Sequence, residues 1–197
     1  AHALVGENLG TPAEAIRFGL ARELAEQSFA PLSVLLIERE ALPSRRTPGL
    51  PDEAFIRGEV PMTKQEVRAA ALAKLAVTPT DTLWDVGAGT GSVSVELALA
   101  APRGHVYAVE CDPEACGLIR QNRETFHACN LTLVEGRAPA ALADLPAPDA
   151  VFIGGTKGGM EAVVDTVFAR NPNARICISA IALETLSAAA AALTARG

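Results

Sequence analysis

The sequence predicts an α/β fold in which a mostly parallel β-sheet carries helices on both faces. Three observations predict it. Short apolar segments alternate with helical patterns from residue 63 onwards, a glycine-rich turn follows the first of these segments, and the second ends in an acidic residue. Short runs of β-branched or apolar residues between helices are typical of strands in a parallel sheet that is buried on both sides.

The N-terminal residues do not show this alternation. Thr11 begins a helix-capping pattern, and apolar residues recur every four positions behind it, so we predict a helix over residues 11–28. A short apolar strand is predicted over residues 32–37. Residues 38–60 are rich in proline and glycine, which favours an irregular arm, and we interpret residues 43–60 as a linker.

The regular part begins with a helix predicted from Thr63 to Leu75, and strands and helices then alternate to the end of the sequence. The predicted strands lie near residues 82–86, 105–109, 131–134, 149–153 and 175–179. The predicted helices lie near residues 91–100, 113–127, 137–143, 158–169 and 181–195. The pattern is still open at Gly197, so we expect that residues 61–197 form one domain and that further strands follow in a longer chain.

The composition narrows the class of protein. Of the 197 residues, 49% are hydrophobic, as in a packed globular protein, and the net charge of −6 argues against binding to duplex nucleic acid. No apolar run has the length of a membrane span, and no basic and apolar leader pattern opens the sequence. The four cysteines lack zinc-ligand spacing, so no metal site is expected. We expect a cytoplasmic protein that contacts neither nucleic acid nor membrane.

A glycine-rich turn marks the candidate ligand site. The first predicted strand of the regular part ends in Asp85 and Val86, and Gly87, Gly89 and Gly91 follow before the next helix. Glycines let a ligand approach the backbone, and such a turn presents free N–H groups. Glu110, at the end of the next strand, can accept hydrogen bonds from both hydroxyls of a ribose. The segment therefore predicts a nucleotide-like ligand.

The spacing of the glycines distinguishes between nucleotides. Ser92 stands where the dinucleotide fingerprint has its third glycine, which argues against a nicotinamide oxidoreductase. Asp85 and the G-x-G-x-G turn resemble motif I of the Rossmann-like class I S-adenosylmethionine-dependent methyltransferases, and Glu110 resembles the acidic residue of their motif II. The resemblance implies S-adenosyl-L-methionine as the cofactor.

Further segments narrow the resemblance. Residues 152–155 lack the Asn/Asp-Pro-Pro-aromatic motif that many nucleic-acid amino-methyltransferases carry at this place. The segments 61–64, 135–139 and 180–185 are similar to those of the precorrin methyltransferases of cobalamin (vitamin B12) biosynthesis, which methylate carbon 15 of a tetrapyrrole and decarboxylate the acetate on carbon 12. This resemblance covers residues 61–187 and implies a precorrin substrate.

The resemblance also implies roles for individual residues. The implied cofactor-binding residues are Thr63, Asp85, Gly87, Ala88, Gly89, Thr90, Gly91, Glu110, Arg137 and Ala138. Arg137 departs from the family, in which an acidic residue is common at that position. The candidate substrate residues have two kinds of role. Lys64 and Lys157 are cations that can pair with the carboxylates of the substrate, and Gly154 and Gly155 let a flat macrocycle approach the backbone. Glu184 is the candidate catalytic residue, although the helix dipole alone also favours an acidic residue at a helix start.

The N-terminal segment carries a separate resemblance. Residues 6–10 and 29–34 resemble the end of a tetrapyrrole methylase domain, so we interpret residues 1–42 as the C-terminal remnant of such a domain, without its own cofactor site. The family resemblance further implies a homo-oligomer, in the form of a tetramer. Two alternatives remain open at this point: a class I methyltransferase for another small molecule or a protein, and a truncated cofactor-binding module without activity.

Overall fold

A computed structural model describes residues 1–38 and 48–195, and the chain divides into two compact units, Ala1–Ser44 and Arg45–Gly197. The prediction of a linker at residues 43–60 lies partly outside the described residues. Of its described part, Leu50 and Phe55 are buried in the core of the second unit.

The first unit is a three-stranded antiparallel sheet in the order β2-β1-β3. Its elements are β1 (His2–Glu7), β2 (Ala15–Leu20), the short helix α1 (Ala21–Leu24) and β3 (Ser33–Glu38). A small core consists of Ala3 and Val5 on the central strand and of Leu24 on α1, whereas every residue of β3 is exposed. The strand predicted at residues 32–37 is confirmed.

The predicted helix over residues 11–28 is wrong. Ile16, Phe18 and Leu20 also alternate with a period of two, which fits a strand, and β2 pairs with β1 in the register Ala3↔Gly19. Thr11 does not cap a helix. Its hydroxyl donates to the carbonyl of Asn8 at 2.8 Å, which closes a local turn instead.

The second unit is a five-stranded parallel sheet in the order β6-β5-β4-β7-β8, with β4 at its centre. Leu83 and Trp84 are adjacent on β4, point to opposite faces and are both fully buried, so helices cover both sides as predicted. The strands are β4 (Thr82–Val86), β5 (His105–Glu110), β6 (Leu131–Glu135), β7 (Ala150–Ile153) and β8 (Arg175–Ile178). The helices are α2 (Gln65–Leu75), α3 (Ser92–Ala100), α4 (Pro113–Thr125), α5 (Met160–Arg170) and α6 (Leu183–Thr194).

One predicted helix of this unit is only a single helical turn in the structure. Residues 137–143 contain only a 3-10 helix at Ala140–Leu142, in which Leu142 is buried against the sheet. The connection from β6 to β7 crosses two strands, because β5 and β4 lie between them in the sheet. No helix in the described part of the chain has the length and apolar character that a bilayer span requires.

Candidate functional site

The carboxyl ends of β4, β5, β6 and β7 meet around one cavity of about 140 Å³. Ligands of open α/β sheets bind at this edge, where loops of neighbouring strands leave in opposite directions. The residues that line the cavity are Val86, Gly87, Val109, Glu110, Cys111, Gly136, Arg137, Ala138, Gly155, Thr156 and Lys157.

The glycine turn between β4 and α3 forms one wall of this region. Gly87, Gly89 and Gly91 have φ angles of 72°, 55° and 77°, which residues with a side chain adopt only at a cost. A Cβ atom on Gly87 would overlap the backbone of Gly155, whose amide nitrogen would lie only 2.8 Å away. The amide of Gly87 donates to the carbonyl of Val109 at 2.9 Å, so the turn is tied to β5.

Glu110 lies at the end of β5 and is almost buried. Its carboxylate accepts three backbone hydrogen bonds, from Gly89 at 2.9 Å, from Cys111 at 2.8 Å and from Asp112 at 2.9 Å. A carboxylate offers about four acceptor positions, so at least one remains for a ligand hydroxyl. Glu110 therefore both holds the glycine turn in place and presents an acceptor at the cavity wall.

Asp85 is fully buried beneath the turn. Ser94 donates a hydrogen bond to its Oδ2 atom, and Oδ1 has no partner within the ranges that the structure describes. Burial raises the pKa of Asp85 to about 7; the hydrogen bond from Ser94 opposes the rise, and the nearby negative charge of Glu110 adds to it. The hydroxyl of Thr90 is also buried without a partner among those residues.

Two cationic residues also line the cavity. Arg137 donates from Nη2 to the carbonyl oxygen of Lys157 at 2.8 Å, which joins the loop after β6 to the loop after β7. The ammonium of Lys157 lies 3.5 Å from Sγ of Cys111, the residue that follows Glu110. Anionic groups of a ligand would meet two positive charges here.

The structure brings together part of the predicted site. Glu110, Gly87, Arg137, Ala138, Gly155 and Lys157 line the cavity, and Ala88, Gly89, Thr90 and Gly91 lie in the adjoining turn. Gly154 donates from its amide to the carbonyl of Val86 at 2.9 Å but is not part of the lining.

Three further predicted residues lie on segments outside both the cavity lining and the glycine turn. Thr63 precedes α2, and Lys64 lies 3.5 Å from the carboxylate of Asp52 instead of facing the cavity. Glu184 is exposed in the first turn of α6. The cavity lining also contains three residues that were not predicted from the sequence, Cys111, Gly136 and Thr156. Each of them lies just beyond the end of a strand, next in sequence to a residue that was predicted. This position after a strand was the signal by which the sequence could have indicated them.

The described residues contain no group of three or more side chains that could together hold a metal ion. The site consists instead of a glycine turn, two acidic residues at strand ends and two cations. A parallel sheet in this order with these features defines the fold of the class I methyltransferases, which is Rossmann-like.

Comparisons with known proteins identify the family. Residues 53–197 match the family described as precorrin methyltransferase domain. The structure is similar to the crystal structure of precorrin-6Y C5,15-methyltransferase from Geobacter metallireducens GS-15, with a TM-score of 0.73 and 43% identity over 76% of this chain and 80% of that chain. The chain therefore belongs to the precorrin methyltransferase domain family and is a methyltransferase.

Two curated relatives show how the match extends along the chain. The sequence is 48% identical to a probable cobalt-precorrin-6B C(15)-methyltransferase (decarboxylating) of Pyrobaculum calidifontis, over 75% of this chain and 77% of that protein. It is 39% identical to precorrin-6Y C(5,15)-methyltransferase [decarboxylating] of Sinorhizobium sp, over 82% of this chain but only 40% of that longer protein.

Proposed function

We propose that this chain transfers a methyl group from S-adenosyl-L-methionine to carbon 15 of a precorrin intermediate and decarboxylates the acetate on carbon 12, in cobalamin biosynthesis. The observation that carries the proposal is the match of residues 53–197 to the precorrin methyltransferase domain. Relatives named as decarboxylating C(15)-methyltransferases support both the position of methylation and the coupled loss of carbon dioxide.

The residues at the strand ends fit this cofactor. Glu110 keeps an acceptor position for the ribose hydroxyls, and the unpartnered Oδ1 of Asp85 is a buried acceptor suited to a cationic donor such as an ammonium group. The positive φ angles of the glycine turn keep side chains away from the ligand. When bound, S-adenosylmethionine supplies an electrophilic methyl group and keeps the electron pair of the broken C–S bond on sulfur.

The remaining cofactor residues have supporting roles in this proposal. Arg137 and Ala138 border the adenine, because they follow β6 and line the same cavity as Glu110. Thr63 and residues 87–91 are proposed to line the rest of the cofactor. Each of these residues is thus assigned to one part of the cofactor. Because the cofactor has no pyrophosphate, none of them is needed to neutralise one.

The substrate residues are proposed from charge and space. A precorrin carries several carboxylates, and Lys157 and Arg137 are cations at the cavity that can pair with them. Lys64 would first have to leave Asp52. A Cβ atom on Gly155 would meet nothing within 4 Å, so there is open space beside its backbone for a flat ligand, with Gly154 next to it.

The chemistry requires positioning more than a protein nucleophile. An electron-rich carbon of the macrocycle forms the new bond to the methyl group while the C–S bond breaks. Loss of carbon dioxide leaves its electron pair on the macrocycle, where a proton is then taken up. Glu184 is the proposed residue for orienting the substrate or for carrying that proton.

The N-terminal unit and the assembly complete the proposal. We propose that residues 1–42 are the end of a tetrapyrrole methylase domain that does not methylate carbon 5 by itself. The Sinorhizobium relative is compatible with this, because this chain covers only 40% of that longer protein, which leaves room in it for a further domain. We also propose a homo-oligomer, in the form of a tetramer.

The proposal is tested first by binding and then by turnover. Calorimetric titration with S-adenosylmethionine and, separately, with NAD should give binding of the sulfonium compound alone, and Glu110→Ala should abolish it. Incubation with cobalt-precorrin-6B or precorrin-6B should then give a product that has gained one methyl group and lost one carbon dioxide by mass spectrometry. Binding of NAD alone, or a methylated product that keeps its carboxyl group, would contradict the proposal.

A further inference from the structure

A segment that precedes α2 and is anchored by a few buried residues passes beside the glycine turn. This segment, residues 49–63, is here named the strap. Leu50 and Phe55 fix it in the core of the second unit, and the Phe55 ring lies 4.7 Å from the ring of Phe126 at the end of α4. The carbonyl oxygen of Pro61 would lie 3.3 Å from a Cβ atom on Gly89, so the strap and the turn are in close contact.

Both ends of the strap are held by a buried ion pair. Arg68 on α2 and Glu96 on α3 are both fully buried, and Nε of Arg68 donates to Oε1 of Glu96 at 2.7 Å. Glu96 also accepts from the amide of Gly49 at 2.6 Å, and Arg68 donates to the carbonyls of Leu50 and Thr63 at 2.5 Å. The pair thus binds the strap near its start and at its last residue.

The middle of the strap is held by one amide side chain. Asn122 on α4 is fully buried, accepts from the amide of Ile56 at 2.8 Å and donates to the carbonyl of Ile56 at 2.7 Å. The same Nδ2 group donates to the carbonyl of Thr90 in the glycine turn at 2.9 Å. A single side chain therefore connects the backbone of the strap with the backbone of the turn.

We propose that Asn122 is a positioning residue for the methyl donor, which it serves by locking the strap against the glycine turn, with the Arg68–Glu96 pair holding the ends of the strap. This inference rests on the proposed function, because it assumes that the turn receives S-adenosylmethionine. Asn122 acts through the backbone of Thr90 and not through contact with the ligand. Its loss removes this partner from the carbonyl of Thr90, which is buried, and from the partly buried N–H and C=O groups of Ile56, so the strap and the turn loosen together.

Asn130 provides a matched control at the other edge of the sheet. It precedes β6, and its Nδ2 group donates to the carbonyls of Ala98 at 3.0 Å and Ala101 at 2.8 Å. Asn130→Ala therefore removes side chain–backbone hydrogen bonds at the amino ends of the strands. Asn122→Ala removes a comparable set of hydrogen bonds at the carboxyl ends. Asn122→Ser is a milder second variant in case Asn122→Ala folds poorly.

The test compares these variants with the unaltered protein in two measurements. Calorimetric titration gives the Kd for S-adenosylmethionine, and hydrogen–deuterium exchange by mass spectrometry follows residues 49–63 and 87–91 without ligand. We expect Asn122→Ala, or Asn122→Ser in its place, to raise the Kd roughly tenfold and to speed exchange in both segments. Asn130→Ala should leave the Kd and the exchange of both segments unchanged.

Each other outcome has a distinct meaning. An equal Kd for the Asn122 variants and the unaltered protein, or an equal rise for Asn130→Ala, would overturn the inference. Faster exchange in the strap with no change in the turn would also overturn it, since the two segments would then move independently. If the unaltered protein does not bind S-adenosylmethionine, the proposed function fails, whereas the exchange measurement still decides whether Asn122 couples the strap to the turn.

Discussion

Ser94 donates a hydrogen bond to one carboxylate oxygen of Asp85, while the other oxygen of the same buried carboxylate has no partner among the described residues. Ser94 lies on α3, in the first turn after the glycines, so the bond connects the end of β4 with the helix that the turn begins. A half-satisfied buried carboxylate is costly to ionise. A cationic group of the ligand would supply the missing partner and offset this cost.

The first prediction concerns the stability of Asp85→Asn without ligand. Burial raises the pKa of Asp85 from 3.8 to about 7, so the unfolded chain ionises first as the pH rises. The folded state of the unaltered protein therefore loses stability between about pH 4 and pH 7, by roughly 4 kcal/mol in all. Asp85→Asn should remove this loss and be the more stable protein at pH 8, as measured by urea denaturation at pH 5 and pH 8.

Asp144→Asn is the control for this substitution, because Asp144 is exposed. Its stability should differ from that of the unaltered protein by the same small amount at both pH values. The explanation is wrong if Asp85→Asn shows the same stability difference from the unaltered protein at pH 5 as at pH 8.

A second prediction follows for the binding of S-adenosylmethionine. If the cationic end of the methyl donor pairs with ionised Asp85, affinity should rise from pH 6 to pH 8, through the raised pKa of about 7, with release of a proton. Calorimetry in two buffers of different ionisation enthalpy measures that proton. Asp85→Asn should bind at least tenfold more weakly at pH 8 and should lose the pH dependence. A pH-independent affinity in the unaltered protein would be the contrary result.

The third prediction compares two glutamates that are neighbours in the sheet. Glu110 and Glu135 face each other in the register of β5 and β6, but Glu110 is almost buried at the cavity, whereas Glu135 is exposed and paired with Arg120. Glu110→Gln should raise the Kd for S-adenosylmethionine about tenfold or more, because charged acceptors bind hydroxyls more strongly. Glu135→Gln should change it less than twofold by the same titration. If both substitutions raised the Kd equally, the loss of a negative charge in this region, and not the loss of the ribose contact, would explain the weaker binding.

The central sheet could be predicted from the sequence because each strand is a short apolar run that ends at a turn. The predicted strand at residues 82–86 coincides with β4, and the other four strands differ by at most one residue at either end. The helix predicted over residues 11–28 failed because Ile16 and Leu20 satisfy a helical and a strand period together. Pairing with β1, a non-local contact, decided between the two periods.

The site was predictable to the extent that parallel topology determines it. Glu110 ends β5 and Gly87 directly follows the adjacent strand β4, so their place at one edge of the sheet follows from sequence order alone. Lys64 depends instead on the course of the strap, and its ion pair with Asp52 has no sequence pattern. The pairing of Arg68 with Glu96 was equally hidden, because the two residues lie on different helices and each resembles an ordinary surface charge in sequence.

The last prediction compares the effect on stability of replacing a glycine in the turn with the effect of replacing a glycine in a helix. Gly87→Ala places a methyl group against the backbone of Gly155 and forces a φ of 72° on alanine, so it should destabilise the protein by about 3 kcal/mol. Gly117→Ala is the matched control. It lies inside α4 with nothing within 4 Å of its Cβ position, so it should stabilise the protein by about 0.5–1 kcal/mol.

A third variant, Gly155→Ala, distinguishes stability from ligand access. Its Cβ atom would also meet nothing within 4 Å, but it would project at the cavity, so folding should be unaffected while binding of the macrocycle weakens. Thermal denaturation and titration with S-adenosylmethionine or precorrin measure the two properties separately. Normal precorrin binding by Gly155→Ala would remove this glycine from the substrate site, because the added methyl group occupies the space that the proposal assigns to the macrocycle.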